Sequence, residues 1–143
     1  MAMVLEGGPF ETNRDSVAQL LMQAPTLRAL ELPEKAVFQA DTLDSPSMKP
    51  FLVLRWGDEE ERIGDSRVRP FDIWGYDERG DYNRITQIVR EAARYLSKEC
   101  FHVAANLGAI SQFVDRGIGG DLVDDGFDAV VKPYRMAAIG RGV

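Results

Sequence analysis

The chain has 143 residues, 45% hydrophobic and 28% charged, the length and balance of one ordinary globular domain that can bury a core without disulfides or metals. Its net charge of −6 argues against a duplex-DNA groove binder, which needs a basic footprint, and against electrostatic attachment to an anionic membrane. Cys100 is the one cysteine, so no intrachain disulfide forms; the opening MAMVLEGGPFETNRD lacks signal-peptide order, no apolar run approaches the ~20 residues that span a bilayer, and a soluble protein made in a reducing cytosol is expected.

A first helix is expected from Asn13 to Ala24, because Val17, Leu20, Leu21 and Ala24 recur at amphipathic spacing. Asn13 or Asp15 caps it, and Pro25 ends it. Leu27, Leu30 and Leu32 then carry a short second turn or an extended approach to Pro33. AVFQA (Ala36–Ala40) reads as a short strand, DTLDSPSMKP as a loop, and FLVLRW (Phe51–Trp56) as the clearest strand. RPFDIWGY (Arg69–Tyr76) follows as its antiparallel partner. The connection GDEEERIGDSRV exceeds an ordinary hairpin loop and is expected to project from the sheet.

From Asp81 to Lys98 the pattern predicts a helix. Ile85, Ile88, Val89, Ala92 and Leu96 face inward, Arg84, Gln87, Glu91 and Arg94 outward, and Asp81 is the cap. FHVAANLGAISQFV fits a strand or a short helix, and GIGGDLVDDG is a turn-rich connection. FDAVVKPYRMAAI reads as a last strand, at a sheet edge or bulged, since Pro133 cannot donate to a ladder. There is no internal repeat. The order of elements predicts a single α+β domain over residues 1–143, a mainly antiparallel sheet packed against two helices, with about ten flexible residues at the start.

Candidate chemistry is thin. DEEE (Asp58–Glu61) offers carboxylates for a hard cation, but adjacent side chains of an extended loop diverge, and a solvated loop is the better reading. Asp121, Asp124, Asp125 and Asp128 miss the spacing of a calcium loop, with Lys132 where the bidentate Glu belongs, and read as turn residues. GIGG (Gly117–Gly120) lacks the Lys-Ser/Thr of a phosphate loop and reads as a sharp turn. Cys100 and His102 lie two apart without a third orienting group. Trp56 and Trp74 are placed to stack, as core or as partner-facing anchors. No catalytic, cofactor or metal site is expected.

The succession PFLVLRWG (Pro50–Gly57), a charged loop, VRPFDIWGYDERGDYNRITQIVREAARYL (Val68–Leu96) and DLVDDGFDAVVKPYRMAAI (Asp121–Ile139) resembles the tail terminator proteins of long-tailed phages of actinobacteria. The resemblance is carried by Trp74, Tyr76, Asp77, Gly80, Tyr82, Arg84 and Ile85, then by Asp124, Asp125, Gly126, Tyr134 and Arg135. It implies a structural virion protein of the neck, made in the host cytoplasm: a homo-oligomeric ring, expected to be a hexamer. Such a ring caps the tail tube protein, ends its polymerisation and meets the head-completion (stopper) protein, while DNA passes through without specific binding. The loop bearing Asp58, Glu59, Glu60, Glu61, Arg62 and Arg67 is then a candidate assembly arm, with carboxylates at the lumen repelling phosphate. Trp56, Trp74, Tyr76 and Tyr134 are scaffold or partner-contact aromatics. The alternatives are another neck or tail part, such as a head-completion protein or tube subunit, or a small hydrolase-type enzyme using His102, Cys100 or an acidic cluster.

Overall fold

FLVLRW forms strand β2 (Phe51–Trp56), antiparallel to the long strand β4 (Arg67–Glu78), with Val53 opposite Trp74 and Trp56 opposite Phe71. The computed structural model describes residues 13–40, 48–58, 60–61, 67–99 and 110–140. Its main sheet runs β1-β2-β4-β7-β5, where β1 is Val37–Gln39, β5 is Ile110–Ile118 and β7 is Ala129–Gly140. Two short strands attach beside this path: β3 (Glu60–Glu61) on β4 and β6 (Leu122–Asp124) on β7. Among the described residues only β1 and β2 pair in parallel. The class is α+β with a mostly antiparallel sheet.

Helix α1 (Asn13–Gln23) buries Val17, Leu20 and Leu21, as the spacing predicts. Pro25 both ends α1 and opens the short helix α2 (Pro25–Ala29), at whose first position the missing amide costs nothing. Helix α3 (Asn83–Arg94) buries Ile85, Ile88, Val89 and Ala92, and the Asp81 carboxylate accepts the Asn83 amide at 2.7 Å. The expected continuation to Lys98 is a π turn, Tyr95–Glu99. There the Ser97 hydroxyl donates to the Ala93 carbonyl at 2.7 Å, competing for the acceptor that α geometry reserves for the Ser97 amide. Helix α3 lies so close to β4 that a Cβ at Gly75 would meet Ile85 and Val89 side-chain carbons at 2.6 Å.

The last strand differs from its expected place. Strand β7 is central, paired with β4 along its whole length and with β5 and β6 on its other side. Its proline is tolerated because of where it falls. The Pro133 carbonyl accepts the Gly119 amide at 2.7 Å, and a residue's nitrogen and carbonyl oxygen face the same neighbour in a strand. The missing donor therefore points at the gap where the neighbour changes from β5, ending opposite Tyr134, to β6, beginning opposite Val131. Strand β4 repeats the device. Pro70 accepts the Gly57 amide at 2.8 Å, where its neighbour changes from β2 to β3. The glycine run GIGG is no tight turn either: β5 continues to Ile118, with a register shift between Asp115 and Gly117.

Candidate functional site

Among the described residues a dense set of ties gathers at the corner where β4 turns into α3. Asp77, buried at 3% exposure, accepts Arg84 Nε at 2.8 Å and Nη2 at 2.6 Å, a two-pronged charged contact. Arg84 Nη1 reaches Glu31 at 2.7 Å, and the hydrogen bonds from Asp77 and then Glu31 push the guanidinium pKa up. Gly80, at φ +108°, lets the chain reverse between β4 and α3. Beside it Arg79 holds Asp125 and Asp128, each at 2.5 Å, and Lys49 donates to the Asp128 carbonyl at 2.8 Å. The Tyr82 hydroxyl donates to the Leu122 carbonyl at 2.6 Å, and the Asp124 carboxylate accepts the Phe127 amide at 3.2 Å.

These ties fix strand β6 at a corner of the sheet. Leu122 is 43% exposed and Val123 is 55% exposed. Successive strand residues point to opposite faces, so the exposure of both means that neither face of the corner is covered by another layer of the described residues. Strand β6 pairs with β7 on one side, and no described strand pairs with it on the other.

The expected aromatics lie within the fold. Trp56 and Trp74 do not stack: Trp56 shares a face with its partner Phe71, at 4.5 Å between ring centres, and Trp74 lies on the opposite face beside Val53. Trp56 Nε1 donates to Gln39 at 3.0 Å. Arg55 lies over Trp74, 4.8 Å from the ring centre, and donates to the Tyr76 hydroxyl at 3.3 Å. Tyr76 is fully buried and stacks on Phe51 at 4.7 Å. The Tyr134 hydroxyl donates to Asp115 at 2.6 Å; burial first, then this bond, pushes its pKa up to about 12.

The acidic loop residues are only partly brought together. Asp58 and Glu60 are exposed. Glu60 and Glu61 form β3, opposite Val68 and Arg67, so the near end of the loop folds back onto β4. Arg67 is a strand residue of β4, between Glu61 and Gly140 in the ladder, and not a loop residue. Glu59 and Arg62 lie outside the described residues, as do Cys100, His102 and the first twelve residues. Among the described residues no three of His, Cys, Asp and Glu converge as a metal site, and no helix is long and apolar enough to cross a membrane. The β6 edge was missed by sequence reasoning. Its signal was two adjacent apolar residues, Leu122 and Val123, set among the aspartates of a turn-like segment.

One groove also marks the helix layer. Between α2 and α3 lies a shallow cleft of about 480 Å³, with Thr26, Ala29 and Leu30 on one side and Gln87, Arg90 and Arg94 on the other. Arg94 is held by Glu91 and Glu99, and it lowers the Glu91 pKa. No protein-family model matches the chain, and no curated protein sequence matches it.

Proposed function

We propose that the chain is a structural virion subunit of the tail terminator kind. Copies form a closed ring that caps the tail tube, ends its growth and presents a surface to head-completion proteins while DNA passes. One observation carries this reading. Two residues of the resemblance help hold the exposed apolar edge β6 in place, Tyr82 through its bond to the Leu122 carbonyl and Asp125 through its ion pair with Arg79. Unpaired strand edges bearing apolar side chains are docking surfaces. Strands β1 and β5/β6 lie at opposite ends of the sheet, so a subunit offers two unlike patches, the requirement for head-to-tail association around a ring. The expected ring is a hexamer, and some of Asp58, Glu59, Glu60 and Glu61 are assigned to its lumen, where carboxylates keep phosphate sliding.

Electron microscopy and native mass spectrometry of the purified full chain test the proposal. Discrete rings that block elongation of tail tube protein in vitro are expected. Open-ended tubes would identify a tube subunit instead, and a monomer at every concentration would refute the ring. Replacing Asp58–Arg62 with a Gly-Ser turn is expected to leave the circular dichroism melt cooperative and to weaken ring formation.

A further inference from the structure

We infer that the Asp125–Gly126 bond, in the turn between β6 and β7, is a site of spontaneous backbone isomerisation that converts Asp125 to isoaspartate. This stands apart from the ring reading and does not rest on it. The step is the one Asp-Gly pair in the sequence, which has no Asn-Gly pair. In such a pair the amide nitrogen of the second residue attacks the side-chain carboxyl carbon of the first. A side chain on the second residue would crowd the five-membered ring that closes, and glycine has none.

The corner leaves this reaction open. The Asp125 side chain is 91% exposed, so water reaches it freely. The Gly126 amide donates to nothing among the described residues, whereas the next two amides are engaged: Phe127 donates to Asp124 Oδ1 and Asp128 to the Asp125 carbonyl, each at 3.2 Å. The attacking nitrogen therefore gives up no hydrogen bond. Its aspartate neighbours lack the pairing with glycine, since Asp121 precedes Leu122, Asp124 precedes Asp125 and Asp128 precedes Ala129. One restraint acts on Asp125, its ion pair with Arg79 at 2.5 Å. An exposed pair of this kind holds a side chain by at most a factor of about five.

The chemistry balances with water alone. Closure forms the bond between Gly126 N and Asp125 Cγ, and one carboxyl oxygen leaves as water with the amide proton and a proton from solvent. Water then reopens the ring and returns that proton. Attack at Cγ restores aspartate; attack at the Asp125 main-chain carbonyl carbon breaks its bond to Gly126 N. The chain then runs through Cβ and Cγ, and the former main-chain carbonyl carbon carries the free carboxylate. The turn is longer by a backbone carbon, and the carboxylate sits directly on Cα, out of register with Arg79. Arg79 keeps Asp128, so the corner loses one tie and β6 loosens.

Incubation of the full chain at neutral pH, then proteolysis and mass spectrometry with a fragmentation that separates the two isomers, tests this. Isoaspartate is expected to accumulate at position 125 well beyond its level at Asp124 and Asp128. Arg79→Ala is expected to speed it by up to about fivefold. Gly126→Ala, whose Cβ would meet the Asp124 carboxylate at 3.2 Å, a contact that side chain can relieve, is expected to slow it severalfold with an unchanged melt. Asp125→Asn closes the same ring with loss of ammonia and is expected to give isoaspartate faster than the wild type. No isoaspartate at 125, or no more than at Asp124 and Asp128, overturns the inference, as does a Gly126→Ala chain that isomerises at the wild-type rate. In the separated isoaspartyl form, hydrogen exchange over Leu122–Asp124 is expected to be faster than in the fresh chain; equal exchange overturns the loosening of β6.

Discussion

Gly75→Ala probes the seam between α3 and β4. The new methyl would sit 2.6 Å from Ile85 Cδ1 and Cγ1 and from Val89 Cγ1, about 1 Å inside ordinary carbon contact. Ile85 and Val89 are fully buried, as is their neighbour Ile88, so relief requires the helix to lift from the sheet. Overpacking of this kind costs about 1–3 kcal/mol. Alanine recovers about 0.4–1 kcal/mol by restricting the unfolded chain, leaving a net loss of roughly 1–2 kcal/mol from a total stability of order 5–15 kcal/mol. In urea, with an m-value of about 2 kcal/mol/M, the midpoint should fall by roughly 0.5–1 M with m unchanged. Val89→Ala removes one of the clashing atoms, so the double variant should lose less than the two single losses added together. Gly80→Ala is the control. Its Cβ meets nothing within 4 Å, and its cost lies in the backbone at φ +108°, so it should be additive with Val89→Ala. A Gly75→Ala protein as stable as the wild type, or strict additivity with Val89→Ala, would refute the packing argument.

Other perturbations follow from the same geometry. Asp77→Ala strands Arg84 with Glu31 alone and should cost about 2 kcal/mol in urea unfolding, because water reaches the guanidinium, 35% exposed, and limits the penalty. For Tyr134 the folded pKa of about 12 exceeds the unfolded value of 10. Its contribution is therefore complete below pH 10 and is lost as the pH rises toward 12; Tyr134→Phe should flatten that alkaline loss, measured as urea midpoints across pH 9–12. Pro133→Ala restores an amide that faces the β5–β6 gap, and should change stability by less than about 1 kcal/mol in either direction. A larger gain would mean that the gap contains an acceptor.

Local pattern made much of the fold legible. Strand β2 and the inward stripe of α3 follow from residues a few positions apart, whose periodicity reports directly which face is buried. The central place of β7 was not legible, because the rule that proline avoids inner strands assumes an unbroken neighbour on both sides. Here Gly57 and Gly119 each sit where one neighbouring strand gives way to another, and each lends its amide to a proline carbonyl. The π turn after Arg94 was also hidden, since the apolar pattern through Tyr95 and Leu96 continues to look helical. Trp56 and Trp74 looked like a pair because both stand near strand ends, yet register places them three rungs apart and on opposite faces.

The β6 edge was illegible for a deeper reason: beyond its local pairing with β7, the side-chain ties to Tyr82 and Arg79 that fix it span long stretches of chain. Tyr82 and Leu122 are 40 residues apart, and Arg79 lies 46 residues from Asp125 and 49 from Asp128. Read locally, LVDDG is a turn in which two apolar residues are merely exposed. Held by those ties, the same residues become an ordered strand with one open edge. Ordering a backbone costs about 1–2 kcal/mol per residue, and in β6 this cost is met within the subunit by the Tyr82, Arg79 and β7 contacts before any partner arrives. A partner that covers Leu122 and Val123, each about half exposed, then gains roughly 1 kcal/mol from each, with little loss to ordering. Loosening the corner should therefore weaken assembly even though no contacting atom is removed. Tyr82→Phe, which deletes only the hydroxyl bond to Leu122, should raise the half-assembly concentration severalfold while leaving the folded core intact; equal assembly of that variant would show that β6 needs no such preparation.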